Sequence, residues 1–403
     1  MNHPLTTVQT LLQDVEYLLL AALFVLSLST VCFYLFSIQA ATQFFRPKRS
    51  QSSAFQPPVT ILKPVCGLDE NTYENLASFC QQDYPNYQII FGTQNPSDPC
   101  IAIVKQLIED FPKQEIQLVI SHRTIGINPK VNNLYNIALK AQHEILALAD
   151  SDVWVDPNYL NQVVQPLSDP TVGVVTCLYR SRSHNPISAF EALSISTEFL
   201  PGVLVARKLE GMAFAFGATI VLRQSVLNEI GGFNAIANYI GDDFQLGYLP
   251  AQAGYQVVLS DYIVDHVLST ATIPQLLQHQ TRWFRGNRFA RLFGYLGLIF
   301  TYGTVSSLLL VVIAPSLIAW ITLALTWTVR YVAAWFIGVH CLRDTIAKRL
   351  LLFVPLRDCL SFCLWCYSFF GNTIEWRGQR LQLTTGGAIV SQASIQARKR
   401  PSS

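Results

Sequence analysis

The sequence predicts an α/β domain with a mostly parallel sheet, flanked on both sides by membrane-spanning helices. Two observations predict it. The 403-residue chain is 51% hydrophobic and only 13% charged, about half the roughly 25% charged fraction of an ordinary soluble domain, and the apolar excess lies near the two ends. Between them, short β-rich runs alternate with amphipathic helical patterns, as in parallel strands joined by helical crossovers. A formal net charge of +2 argues against a nucleic-acid binder whose affinity comes from neutralised phosphates. The nine cysteines are scattered, several inside apolar runs, and do not form a disulfide framework.

At the N-terminal end no charged residue occurs from Tyr17 to Phe45, and about 20 apolar residues suffice to cross a bilayer. Asp14 and Glu16 precede the run where a cleaved leader would carry Lys or Arg. The basic cluster Arg46, Lys48, Arg49 follows it, so the positive-inside rule places the N-terminus outside and the following domain in the cytosol.

Next comes the central domain, residues 51–291. Val59 to Val65, Tyr87 to Gly92, Ile116 to Ser121, Glu144 to Ala149 and Val172 to Tyr179 read as strands. Amphipathic stretches near Glu70 to Gln81, Cys100 to Phe111, Lys130 to Gln142 and Asn158 to Gln165 read as helices. Ligands of such sheets bind beyond the carboxyl ends of the strands.

A second uncharged run, Leu292 to Val329, is interrupted by Arg330 and continues to Cys341, before Arg343, Asp344, Lys348 and Arg349. It is long enough for two helices, and Arg330 is costly at bilayer depth unless it is paired or near an interface. The topology of a third, aromatic-rich run, Cys359 to Ile374, stays open. Cys359, Cys363 and Cys366 within it read as membrane packing. The resulting division is an anchor at 1–50, the central domain at 51–291, a membrane region at 292–376 and a basic cytosolic tail at 377–403, with Arg377, Arg380, Arg398, Lys399 and Arg400.

Several motifs in the central domain carry candidate chemistry. The run Leu146-Ala147-Leu148-Ala149 leads into Asp150-Ser151-Asp152. A divalent cation, Mg²⁺ or Mn²⁺, relieves the repulsion of two such carboxylates and can also hold a diphosphate; an exposed acidic turn is the plainer alternative. The loop from Thr93 to Pro99 offers Asn95 and Asp98 to a nucleobase, or is simply a turn with two prolines. In the run Gly126 to Leu134, Lys130 stands at the start of a predicted helix, where phosphate is favoured, although a plain Asn cap with a solvated Lys fits equally. Gly241-Asp242-Asp243-Phe244 opens another helix: adjacent acids suit a helix N-terminus for structural reasons, and a pair also separates hydrogen-bonding or metal duties from general-base work. Last, His279-Gln280-Thr281-Arg282-Trp283, followed by Arg285, Arg288 and Arg291, reads as an interfacial anchor, or as Arg282 facing a leaving diphosphate with Trp283 as an apolar wall.

Taken in order, these motifs resemble the D, D, D, (Q/R)xxRW pattern of membrane-bound GT-A glycosyltransferases, with a Rossmann-like sheet, and specifically the ceramide glucosyltransferase family. Lys63-Pro64-Val65-Cys66-Gly67-Leu68-Asp69, the Gly126 to Leu134 run and Gly231-Gly232-Phe233 also look like that family. Leu76 to Pro85, Val174 to Arg180, Phe214 to Thr219 and Pro355-Leu356-Arg357-Asp358 look most like its bacterial hopanoid-biosynthesis branch, which implies transfer of N-acetylglucosamine to bacteriohopanetetrol, with glucosyl transfer to ceramide as the other family activity. The resemblance further implies that Asp150 and Asp152 serve the nucleotide-sugar diphosphate and its metal, that Asp243 is the general base, and that Arg282 and Trp283 end the last motif. Two positions depart from the pattern. Asn95 stands where the family has an aspartate for the uracil, so its amide, or Asp98 in its place, is expected there; His279 replaces the Gln or Arg and can act as a pH-dependent donor.

The expected reaction is an inverting, single-cation transfer from a UDP-sugar to the hydroxyl of a membrane lipid, in the bacterial inner membrane with the catalytic domain on the cytosolic side. A non-enzymatic membrane transporter or regulatory protein with a degenerate nucleotide-sugar domain is the alternative. It predicts charged or broken helices lining a path, for which Arg330 is the one candidate in the sequence.

Overall fold

The structure, a computed structural model, describes residues 3–46, 55–183, 185–269, 272–376 and 378–391. Lys48, Arg49, Arg377, Arg398, Lys399 and Arg400 lie outside the described residues. The chain divides into two compact units. One comprises Met1–Arg46, Leu193–Val205 and Arg291–Phe370; the other comprises Pro47–Ala192, Ala206–Ala290 and Gly371–Ser403.

The second unit is built on an eight-stranded sheet. Its strands are β1 (Val59–Pro64), β2 (Tyr87–Thr93), β3 (Glu115–Ile120), β4 (Ile145–Ala149), β5 (Val153–Trp154), β6 (Val172–Arg182), β7 (Thr219–Arg223) and β8 (Gln256–Val267), in the order β3-β2-β1-β4-β7-β6-β8-β5. β1 pairs in parallel with β2 and β4, β2 with β3 and β6 with β8, while β7 runs antiparallel to β4 and β6. β2 and β4 are buried along their whole length, as strands covered on both faces must be, and so read as unbroken apolar runs. The five expected strands lie within a few residues of where the sequence puts them. β5, β7 and β8 were not foreseen.

Helix Pro129–Ala138 packs so closely on β2 that a Cβ at Gly92 would lie 2.2 Å from Ile137 Cγ2. The core around it joins Leu62, Ile90, Leu146 and Leu148 to Val131, Leu134, Ile137 and Phe233. Because the strand order reverses at β1 and β4, the crevice for ligands opens beyond their carboxyl ends.

Part of the expected basic tail, together with the end of the expected membrane region, belongs to this unit as structure. β9 (Thr373–Trp376), β10 (Gln379–Leu383) and β11 (Ile389–Ser391) form an antiparallel sheet. The run Cys359 to Ile374 is likewise not one element: the helix Val354–Ser368 ends before β9 begins. Alternation explains both, since Ile374, Leu381, Leu383 and Ile389 share one buried cluster while the charges between them face away, the period-2 pattern of a half-buried sheet.

The described residues include four helices long and apolar enough to cross a membrane: Leu11–Phe44, Leu317–Cys341 and Thr345–Ser368 in the first unit, and Pro186–Glu210. A bent pair, Leu292–Thr301 and Gly303–Ile313, meets the same test when taken as one span. Pro186–Glu210 was not expected, and only its residues 193–205 belong to this unit. Small residues set the helix spacing: Ser27 Oγ lies 2.9 Å from Ser306 Oγ, and Thr30 Oγ1 donates to the Phe300 carbonyl at 2.7 Å, the kind of contact that lets helices approach in lipid.

Arg330 is 1% exposed and fully partnered. Its Nη2 and Nε donate to Asp358 Oδ1 and Oδ2 at 2.6 and 3.0 Å, and its Nη1 donates to the Thr197 carbonyl at 3.0 Å. Thr197 lies in a π-helical turn, Ile195–Phe199, where the widened backbone leaves a carbonyl to be satisfied from outside. Burial with a bidentate partner is the condition under which such a charge is tolerated.

Candidate active site

β4 delivers Asp150 to the crevice, and two backbone carbonyls fix the turn that follows. Lys63, at the end of β1, is wholly buried; its Nζ donates to the Asp150 carbonyl (2.6 Å) and the Val153 carbonyl (3.5 Å) and lies 3.5 Å from the centre of the Phe79 ring. Burial pulls its ammonium down to about 7, against the opposing pull of Asp152 and Asp150.

Asn128 caps helix Pro129–Ala138, its Oδ1 accepting from the Lys130 and Val131 N–H groups, with Pro129 at the first helical position, where no N–H is missed. Cap and functional geometry therefore coincide, because Lys130 Nζ reaches Asp150 Oδ1 at 2.6 Å and Asp242 Oδ2 at 3.3 Å. Burial would lower the Lys130 ammonium, but Asp150, Asp242 and Asp243 together hold it above its ordinary value.

Asp242 and Asp243 open the helix Asp242–Gln252. Asp243 Oδ2 accepts from the Gly217 N–H at 2.9 Å and Oδ1 from the Phe244 N–H at 2.8 Å. Burial, reinforced by the charge of Asp242, pushes the Asp243 carboxyl up to about 6, despite the pull of Lys130. Such a value suits a base working near neutrality. Gly217 lies at the centre of the group: a Cβ there would sit 3.2 Å from Asp150 Oδ2, 3.3 Å from Asp243 Oδ2 and 3.4 Å from Lys130 Nζ.

Asp152 Oδ2 lies 3.2 Å from His266 Nε2. Burial raises the Asp152 carboxyl, but His266 and Lys63 outweigh it and hold the group below its ordinary value; burial likewise lowers the His266 imidazole, and Asp152 outweighs it to leave a raised value. Asp152 Oδ1 is buried without a hydrogen-bond partner among the described residues. An orphaned carboxylate oxygen beside an imidazole is a donor pair that fits a divalent cation. These two residues do not make a complete cage, and no group of three or more His, Cys, Asp or Glu among the described residues is arranged to hold an ion, so substrate oxygens or water would have to complete the coordination. Asp150, expected as a ligand, has Oδ1 paired with Lys130.

Tyr179 lies close to all of this. Its ring packs against His266 (5.6 Å between centroids) and Phe216 (6.2 Å), and its phenol is held well above its usual range, first by burial and then by the charges of Asp243, Asp150, Asp152 and Glu191.

The remaining expected residues have other surroundings. Asp98 accepts from the N–H groups of Gly67 and Cys100 and from Thr93 Oγ1; burial raises its carboxyl, but these bonds outweigh it and lower the value, so its oxygens bind the end of β2 to the next helix. Asn95 Oδ1 accepts from the Ser97 N–H, and the residue is exposed at the same edge. His279, Arg282 and Trp283 lie on the helix Ile273–Ala290. His279 Nδ1 and Gln280 Nε2 both meet the fully buried Glu191 Oε1, at 2.5 and 3.0 Å, His279 packs on Trp283 at 4.8 Å, and the Arg282 guanidinium lies 5.8 Å from the centre of the Trp376 ring.

The structure thus gathers Lys130, Asp150, Asp242 and Asp243 into one cluster, with Asp152 nearby in electrostatic contact. The sequence reading did not identify Lys63, Gly217, Tyr179, Glu191 or His266 as site residues. Of these, Lys63, Tyr179 and Gly217 had a usable signal, since each stands in a run that resembles the family.

A sequence profile described as "Glycosyl transferase family 21" matches residues 22–389. The chain is 24% identical to ceramide glucosyltransferase 3 of Caenorhabditis elegans, over 89% of this chain and 80% of that one, and 23% identical to ceramide glucosyltransferase 1 of the same organism, over 84% and 74%. The solved mannosyltransferase PcManGT of Pyrobaculum calidifontis, in complex with GDP-Man and Mn²⁺, superposes with a TM-score of 0.54 at 17% identity, covering 87% of this chain and 99% of that one. That likeness establishes the GT-A fold.

Proposed function

The chain belongs to glycosyl transferase family 21, and from that premise we propose that this glycosyltransferase moves a sugar from a UDP-sugar to the hydroxyl of a membrane lipid, with inversion. A hopanoid polyol receiving N-acetylglucosamine, or ceramide receiving glucose, is the acceptor reading. The observation that supports it most is Asp243: a carboxylate raised to about 6, fixed by two backbone N–H groups, beside a Lys that ties two further acids.

Asp243 takes the proton of the lipid hydroxyl as its oxygen forms a bond to the anomeric carbon and the bond to UDP breaks on the opposite face. Lys130 and Arg282 stand as counter-charges for the diphosphate, Asn95 meets the base, and Asp242 keeps Lys130 in place. His279 and Trp283 shape the acceptor side. Mg²⁺ or Mn²⁺ held by Asp150 and Asp152, with His266 as a neighbouring imidazole, would supply positive charge to the departing diphosphate. The long apolar helices fit attachment to a bacterial inner membrane, with the catalytic unit in the cytosol.

Membranes containing the protein, supplied with a panel of UDP-sugars and with ceramide, diacylglycerol or bacteriohopanetetrol, are expected to yield a lipid bearing one added sugar by mass spectrometry. UDP-sugar binding with no glycolipid from any acceptor would overturn the reading. The reaction also has an acid limb: the base works ionised, so turnover is retained above about pH 6 and falls about tenfold per pH unit below it. A pH profile flat down to pH 5 would remove Asp243 from this role.

A further inference from the structure

We propose that the sheet β9–β11 is the positioning element that fixes the Asp242–Asp243 pair relative to the helix Ile273–Ala290, although more than a hundred residues separate it from the acids. The idea rests on the reading of Asp243 as base only for its kinetic consequence.

The segment immediately before the acids, residues 237–240, is held from two sides. On one side, the Asn128 N–H donates to the Ala237 carbonyl (2.9 Å), Asn128 Nδ2 to the Tyr239 carbonyl (2.8 Å) and the Ile127 N–H to Asn238 Oδ1 (3.0 Å). On the other, the Ile389 N–H donates to the Asn238 carbonyl (2.7 Å) and the Ile240 N–H to the Gly387 carbonyl (3.2 Å), a bridge centred on Tyr239 and Ala388. The small sheet therefore continues into the segment that carries the acids.

The same sheet supports the basic helix. Arg285 Nη1 donates to the Thr373 carbonyl (2.5 Å), Arg288 Nη2 to the Gly371 carbonyl (2.7 Å), and Arg282 lies over Trp376. A single apolar cluster closes the arrangement: Ile374, Leu381, Leu383 and Ile389 are buried in it, with Ile240 from the acid segment and Phe289 from the basic helix packed against them. Helix, sheet and acid segment thus share one core, and the spacing between the base and the Arg282–Trp283 motif is set by it. A displacement of about 1 Å at a reacting group can cost on the order of a hundredfold in rate, so a support of this kind acts on turnover more than on binding.

Two variants at Ile389 test it. Ile389→Pro removes the N–H that meets Asn238, and Ile389→Ala keeps that N–H but empties part of the shared cluster. Hydrogen exchange in the full-length protein is expected to accelerate about tenfold or more at residues 238–243 in Ile389→Pro and by a few-fold in Ile389→Ala, with β1 and β4 unchanged. UDP affinity should stay within about twofold while kcat falls about tenfold and the donor KM holds. Unchanged exchange at 238–243 in both variants overturns the proposal, and so does accelerated exchange with full turnover. Should Ile389→Pro loosen β1 and β4 as well, Ile389→Ala carries the decision. If the wild-type protein transfers no sugar, the functional reading fails alone, and the exchange pattern still decides whether the sheet holds the acid segment.

Discussion

Replacing Asp243 with Asn is expected to lower turnover by roughly 10² to 10⁴-fold, the range in which a positioned base contributes, while UDP-sugar affinity changes little. The amide keeps the shape of the carboxylate, but its single oxygen can accept from only one of the two N–H groups, Gly217 or Phe244, that the carboxylate holds. It also removes one of three acids crowded around Lys130, which offsets the loss of that one local hydrogen bond, and the fold should persist. What the variant loses is the lone pair that takes the hydroxyl proton. Turnover measured by lipid mass spectrometry, with UDP binding measured by calorimetry on the same preparation, separates the two effects. Asp242→Asn is the informative companion: Asp242 holds Lys130 and faces Asn128 Nδ2 at 3.4 Å, so its loss should weaken the donor side as well as turnover. Equal turnover in wild type and Asp243→Asn would exclude Asp243 as the base.

Much of this site was legible because its parts lie next to strong local signals. Asp150 follows five consecutive buried residues of β4, and Lys130 follows an Asn-Pro cap; each is a short-range pattern that a single sequence displays. β7 is a short antiparallel strand, and β8 mixes polar residues with apolar ones under a register shift near Cys177 and Leu178, so neither produces a clean run. Glu191 and Glu198 interrupt the apolar run of the helix Pro186–Glu210. Their polarity hides an apolar segment from composition alone, because buried partners such as Ser361 for Glu198 and His279 for Glu191 are invisible until the chain folds. β9–β11 was hidden for the opposite reason. Its few apolar residues alternate with polar ones, so that β10 and β11 read as a tail and β9 as the end of a membrane region, and only the cluster shared with Ile240 and Phe289 makes them a core. His266 is a single residue with no motif, and Lys63 stands in a run that resembles the family, yet the roles of both depend on Asp152 and Asp150, which lie far away in sequence.

The other large expected effect lies in the apolar unit. Arg330→Met leaves Asp358 buried without its bidentate partner and also frees the Thr197 carbonyl in the π-helical turn. Asp358→Leu does the converse, stranding a guanidinium that then has one carbonyl and the Tyr34 ring, 4.7 Å away, for company. Breaking a buried ion pair from one side costs about 3–5 kcal/mol, whereas replacing both members by apolar residues of similar size is often close to neutral. The double variant Arg330→Met/Asp358→Leu is therefore expected to recover most of what each single variant loses, with a coupling of about 2 kcal/mol or more in a double-mutant cycle. Thermal unfolding in detergent, followed for all four proteins, measures it. Additive losses would show that Arg330 is held by the backbone and the ring more than by Asp358. Recovery would show instead that the charge is tolerated only because its opposite is there, and that the pair specifies how these helices meet without being required for them to pack.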